Sequence, residues 1–254
     1  MKNLISSYSG DHKSIFIVPI GDLHLGSRYF DKKSLDNTLS FIDKNRARCR
    51  ILLMGDLLEC ATKTSVGRGV YDEKYPTQKQ FEKAIAIFKP YSDLIDGVVE
   101  GNHSERIIRE TSFEIIQEFC HRINCFGSYL QFEGIVNFHL GDFQYSTFLW
   151  HGSSGGITES SAINGLLKMR ERTISNLYFM GHTHKLLSFT RRIHVPSTDS
   201  TASEVEQMFV NTGTALGGGG YGTQKGYPEL TTGFGAVQIF RDEKKMVFHK
   251  ISSL

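Results

Sequence analysis

Five short apolar runs in this chain end alike, each leading into a glycine beside an aspartate, asparagine or histidine. Residues 15–20 run into Gly21-Asp22-Leu23-His24 and 51–54 into Gly55-Asp56. Residues 97–100 run into Gly101-Asn102-His103, 146–150 into His151-Gly152, and 177–180 into Gly181-His182-Thr183-His184. The runs are short, rich in β-branched or aromatic residues and bounded by glycine, so they read as buried strands. Stretches 34–46, 78–91 and 105–123 carry apolar residues at helical spacing. A chain that alternates strand and helix builds a sheet covered by helices. Ligands of open α/β sheets bind beyond the carboxyl ends of the strands. The five polar ends are therefore expected to meet.

From residue 129 the apolar period changes to two, with a hairpin turning at Gly141-Asp142. A helix over 160–173 and a strand-rich remainder follow. No Pro- or Ser-rich linker interrupts the chain, so residues 1–254 are read as one domain of mixed, layered α/β architecture. The 29 Lys+Arg nearly balance the 27 Asp+Glu, which argues against a polybasic nucleic-acid coat or an acidic tail. No apolar run approaches the roughly 18 residues of a membrane span. The polar N-terminus and only 4 cysteines point to a reducing cytoplasm and a protein without membrane partners.

Imidazole and carboxylate donors suit manganese, iron, zinc or nickel, with no cysteine required. In extended backbone, residues i and i+2 point the same way. Asp22 and His24 can then face one ion, and His182 and His184 one cavity. Asp56 stands alone, as suits a carboxylate shared between two ions about 3.5–4 Å apart. Asn102 and His103 are adjacent and are expected to point apart. His12, His121, His139, His194 and His249 lie outside this pattern. Cys120-His121-x-x-x-Cys125 lacks the partner pair a zinc site needs.

The full set, D-x-H, G-D, G-N-H, H and G-H-x-H in order from 21 to 184, resembles the calcineurin-like metallophosphoesterases. Val210-Asn211-Thr212-Gly213 is similar to the Asn-Pro-Gly stretch that often follows in that family. The resemblance implies a four-layer α-β-β-α sandwich of two mixed sheets flanked by helices. It also implies two divalent metal ions, manganese first among them. Asp22, His24, Asp56 and His184 would hold one ion; Asp56, Asn102, His151 and His182 would hold the other. The implied chemistry is hydrolysis of a phosphoester by a metal-bridging hydroxide, with His103 unligated and acting on the phosphoryl group or the leaving oxygen. The chain departs from many relatives in having Ser104 after the G-N-H, with Glu105 one place later, which leaves the carboxylate supporting His103 open.

Protein phosphatases of this superfamily carry arginines in G-D-x-x-D-R-G and R-G-N-H-E. Here those positions read Gly55-Asp56-Leu57-Leu58-Glu59-Cys60 and Glu100-Gly101-Asn102-His103. Asp22-Leu23-His24-Leu25-Gly26 instead resembles the first motif of the Mre11 and SbcD repair nucleases. The whole layout is also similar to small phosphoesterases carried by phages, which would place it in a host cytoplasm. The expected substrate is a phosphodiester, in DNA or RNA. The alternatives are a phosphomonoesterase acting on a nucleotide or other small phosphorylated molecule, and an inactive binding or scaffold protein on the same fold. Candidate substrate contacts are Arg28, Arg106, Arg68 in the 62–76 loop, and Tyr221 and Lys225 in the glycine-rich stretch 213–227; the bland reading of both loops is a plain connection.

Overall fold

The structure, a computed structural model, describes residues 1–63, 65, 69–153, 156, 158–196, 201–219, 223, 226 and 231–251. Its strands are β1 Lys2–Tyr8, β2 Ser14–Ile20, β3 Cys49–Met54, β4 Ile95–Val99, β5 Tyr129–Gln131, β6 Glu133–Leu140, β7 Phe143–Trp150, β8 Leu177–Met180, β9 Leu186–Pro196, β10 Ala202–Thr214, β11 Gly233–Phe240 and β12 Met246–Lys250. Its α-helices are α1 Lys32–Lys44, α2 Thr77–Phe88, α3 Asn102–Thr111, α4 Ile115–Arg122 and α5 Glu159–Met169.

The expected pair of sheets is one nearly closed sheet. Its strands run β1-β6-β7-β8-β10-β11-β2-β3-β4-β5, with β9 beside β10 and β12 beside β11. The join is narrow: β10 meets β11 only through Gly213 with Phe234 and Thr214 with Gly233. About that join the sheet turns back on itself. Ile15, Ile17, Leu52, Met54 and Val99 from one half pack against Val136, Phe138, Leu149, Phe179 and Val210 from the other. Helices cover the outer faces. Leu35, Phe41, Ala84, Phe88, Ile116 and Phe119 close the β2–β3–β4 side, and Ala162, Leu166 and Met169 of α5 lie over β7, β8 and β10. The layering is thus helix, sheet, sheet, helix, but with a continuous strand order.

β2 is buried along its whole length, as its unbroken apolar run requires. Pro19 inside it cannot donate to a ladder. β11 pairs with β2 only from Ser14 to Ile17, so the missing N–H falls where β2 has lost that neighbour. The helix expected over 105–123 is two helices. α3 begins at Asn102, directly after β4, and ends at Ser112, whose φ of 60° and N–H bond to Ile108 O form a left-handed cap. The Thr111 hydroxyl accepts from Phe113 N at 3.2 Å, an alternative to the helical ladder. β1 was not expected at all. It pairs parallel to β6 from Lys2 with Gly134 to Tyr8 with Leu140, as a half-exposed strand bearing an outward Ile5. No helix among the described residues is long and apolar enough to cross a membrane.

Candidate metal centre

The loops after β2 and β3 continue the pairing of their strands without being strands. Asp22 N donates to Gly55 O, His24 N to Asp56 O and Leu25 N to Leu57 O, each at 3.0 Å. Asp22, His24 and Asp56 all lie in left-handed backbone, at φ 47°, 50° and 47°. His182 and His184 do so too, at φ 65° and 57°. Side chains other than glycine rarely adopt this region, at a cost of about 1–3 kcal/mol each, and surrounding structure must impose it. The alternation rule for extended backbone therefore does not describe these segments. The left-handed turns, not strand pleats, aim the side chains.

The five strand ends meet in two donor groups. Asp22, His24 and His184 form one; Asp56, His151 and His182 form the other, with the ligand atoms in each within 4.8 Å of one another. In the first, His24 Nε2 and His184 Nε2 stand 3.1 Å apart, and Asp22 Oδ1 is 3.2 Å from His184 Nε2 and 3.9 Å from His24 Nε2. No donor points at Asp22 Oδ1, so this buried carboxylate oxygen has no hydrogen bond among the described residues. Its twin, Oδ2, accepts from His182 N at 2.8 Å. In the second group His151 Nε2 approaches Asp56 Oδ2 at 3.2 Å. Asn102 Oδ1 lies 3.2 Å from His151 Nε2 and 2.9 Å from His182 Nδ1. Asp56 Oδ1 accepts from His103 N at 2.9 Å.

Behind the donors, further contacts fix which nitrogen faces inward. His151 Nδ1 donates to Met54 O at 2.8 Å, which leaves Nε2 for the centre. His24 Nδ1 meets Glu59 Oε2 at 3.0 Å, which likewise turns Nε2 inward. Burial opposes charge on His24, but the bond to Glu59 together with the charges of Glu59, Asp56 and Asp22 holds His24 above its usual range. Burial also opposes charge on His151, yet Asp56 beside it raises that imidazole to about 9. Burial would raise Asp56 in turn, but His103, which becomes protonated in the acid range where Asp56 titrates, and His151 hold it well below the ordinary carboxylate range. Around Asp56 and Glu59, both lowered, thus stand His24 and His151, both raised, each shifted by its neighbours.

His103 stands beside both groups: its Nε2 lies 3.8 Å from Asp56 Oδ2, its ring centroid 4.4 Å from that of His24, and with His24 and Glu59 it forms a third set of donor atoms within 4.8 Å of one another. Its Nδ1 lies 2.7 Å from the Glu59 backbone carbonyl, which only accepts, so Nδ1 carries the proton. Arg106 Nη2, one helical turn on, donates to His103 Nε2 at 2.9 Å. His103 is therefore neutral in this arrangement, in line with burial lowering it to about 4 against the pull of Asp56. Glu105 is turned outward and bonded to Arg109 at 2.6 Å. The carboxylate beside His103 is Glu59, whose Oε1 lies 3.7 Å from Nδ1. Glu59 is the site residue the sequence reading passed over. Its trace was only its place three residues after Asp56, where the phosphatase pattern has Asp. Arg28 is exposed and held through its backbone, N–H to Asp72 O at 3.0 Å. Arg68, Tyr221 and Lys225 lie outside the described residues.

Asn211, within the Asn-Pro-Gly-like stretch, donates from Nδ2 to Thr183 Oγ1 at 2.6 Å. It pins the residue between His182 and His184 from below. Cys49, Cys60, Cys120 and Cys125 are free and buried. His121 stacks on Phe126 at 3.9 Å between ring centroids, away from the centre.

No family model matches the chain, and no curated protein does. Among solved structures it is similar to a single-substitution variant of Vps29 from Entamoeba histolytica, with 14% identity, TM-score 0.44, and 93% of this chain and 92% of that one covered. It is similar to a metallophosphoesterase from Sphaerobacter thermophilus, with 14% identity, TM-score 0.41 and coverage of 93% and 87%. Wild-type Vps29 of Entamoeba histolytica complexed with zinc matches with 12% identity, TM-score 0.36 and coverage of 93% and 99%. Likeness at this level assigns neither substrate nor activity.

Proposed function

We propose that the chain is a two-metal phosphodiesterase whose substrate is DNA or RNA. The observation that carries the metal assignment is Asp22 Oδ1: a buried anionic oxygen without a donor, facing two imidazole nitrogens that face each other. Two Nε2 lone pairs 3.1 Å apart repel unless a proton or a metal cation lies between them. Histidine with carboxylate and an amide oxygen is a donor set that suits manganese, iron, zinc or nickel. Asp22, His24 and His184 would hold one ion and His151, His182 and Asn102 the other, with Asp56 shared. When bound, the pair supplies Lewis-acid polarisation of a phosphoryl oxygen and hydroxide at neutral pH.

The chain's own groups do the rest. Arg106 is permanently cationic and presents five donors, of which one is engaged by His103. The others have no hydrogen-bond partner among the described residues and can take a phosphoryl oxygen, with His103 aiming the guanidinium. His103 can protonate a leaving oxygen only after its Nε2 gains a proton and releases Arg106. One arginine beside the centre suits the single negative charge of a diester better than the dianion of a monoester. The phosphatase arginine positions hold Cys60 and Glu100 instead.

The test is hydrolysis of bis-p-nitrophenyl phosphate and p-nitrophenyl phosphate across a metal series, followed by single- and double-stranded DNA and RNA. Turnover of the diester and of nucleic acid supports the proposal. Turnover of the monoester alone refutes it.

A further inference from the structure

A cavity of about 610 Å³ opens beside His184, between the first turn of α1, the start of β9, the start of β11 and the end of β12. Its volume is in the range that ordinary ligand sites occupy. Three elements each bring a lysine to it: Lys33 from α1, Lys185 from the turn after His184, and Lys250 from the end of β12. Two carboxylates also line it, and both are engaged. Asp31 Oδ1 caps α1 by accepting from Lys33 N and Ser34 N, while its Oδ2 accepts from the Thr232 hydroxyl at 2.6 Å. Glu159 meets Lys185 at 3.5 Å. Lys33 and Lys250 have no carboxylate within 4.0 Å among the described residues.

Ser34, which lines the same cavity, is more than nine-tenths buried, and its hydroxyl has no hydrogen-bond partner among the described residues. Among the described residues the only aromatic residue on the wall is Phe234, which is buried at 1% exposure. The amines, hydroxyls and amide of the described lining suit the phosphates and sugars of a strand.

We infer that this cavity binds the sugar–phosphate backbone of a nucleic-acid strand next to the scissile bond, so that the substrate is an oligonucleotide rather than an isolated diester. This rests on the diesterase reading above, because His184 belongs to both the cavity and the donor set. Lys33 and Lys250 would meet flanking phosphates, and Lys185 would stand nearest the metal side.

The test uses the manganese-loaded full chain and a fluorescein-labelled phosphorothioate octathymidylate, read by anisotropy from low to moderate salt. Lys33→Glu/Lys250→Glu is expected to weaken binding at least tenfold. It should also reduce the slope of log affinity against log salt by about 1.4, at roughly 0.7 per lost phosphate contact on a single strand. Lys33→Gln/Lys250→Gln should fall between this variant and wild type, which separates lost contact from repulsion or misfolding. Lys13→Glu/Lys168→Glu, with the same change in net charge on exposed positions elsewhere, should bind within twofold of wild type. Wild-type affinity in the first variant, equal loss in the Lys13/Lys168 control, or no binding by wild type overturns the inference. Bis-p-nitrophenyl phosphate turnover is measured in parallel. Turnover with unaltered oligonucleotide binding removes the cavity and leaves the diesterase. Weakened binding without turnover keeps the cavity as a nucleic-acid site and removes the diesterase.

Discussion

Gly101 stands between the two loops that carry Asp56 and Asn102, and replacing it by alanine probes how closely the centre is built. Its φ of −113° and ψ of 173° are extended backbone that any residue adopts, so Gly101→Ala carries no conformational penalty of its own. The cost is all in space. A Cβ here would lie 2.7 Å from Asp56 Cγ, about 0.7 Å inside the 3.4 Å at which ordinary contact begins, and closer still to Asp56 Oδ1 and N. Asp56 cannot swing away freely. Its Oδ1 is held by His103 N, its Oδ2 lies against His151, and its carbonyl accepts from His24 N. The carboxylate and both loops must therefore move by about 1 Å. Overpacking of this kind costs about 1–3 kcal/mol of stability. A misplacement near 1 Å at a reacting centre costs about 10²-fold in rate. The assay is bis-p-nitrophenyl phosphate hydrolysis with manganese, beside metal content by mass spectrometry and thermal unfolding. The expected result is a folded protein with kcat/KM down by about 10²-fold and metal binding weakened. Wild-type rate and metal content would refute the claim that Asp56 is held in a fixed position between both donor groups.

Asp56→Asn or His151→Ala should abolish hydrolysis while leaving the fold, since each removes a donor and no core side chain; retained turnover with full metal content would contradict the assignment. Glu59→Gln should lower metal affinity about 10–100-fold, the usual range for a residue that orients a ligand histidine; titration calorimetry with manganese reads this directly, and an unchanged affinity removes Glu59 from that role. His103→Ala should keep metal content but reduce turnover, because the group lost aims Arg106 rather than binding an ion; full activity rejects it. Chelation should lower the unfolding temperature, since an ion at about 1,000 times its Kd stabilises the folded chain by about 4 kcal/mol; identical melting with and without chelator would show that no metal is held.

The strands and the candidate donors could be read locally, and for one reason. Buried strands leave unbroken apolar runs, and a glycine after each marks where the chain turns. What escaped the sequence depends on distance along the chain or on exposure. β1 buries little, so Leu4 and Ser6 leave no strong period beside the exposed Ile5. The union of two half-sheets rests on Gly213 and Thr214 meeting Phe234 and Gly233, a contact no local pattern announces. Glu59 gains its place only because left-handed turns at residues 22, 24 and 56 bring its loop against His24 and His103. Aspartate and histidine in that backbone region run against expectation, which is why alternation was the wrong guide to their direction.

The separation of the donors along the chain also dictates when they can come together during synthesis. Asp22 and His182 are 160 residues apart, and the bond between them closes the first donor group onto the second. A ribosome that has released β2, β3 and β4 has made Asp22, His24, Asp56 and Asn102, but neither donor group is complete until β8 and the turn after it emerge. Closing loops this long costs entropy before any contact rewards it, so such contacts form slowly. A metal held by both donor groups would thus be captured only at the end of folding, and its retention would mark chains whose two half-sheets have closed.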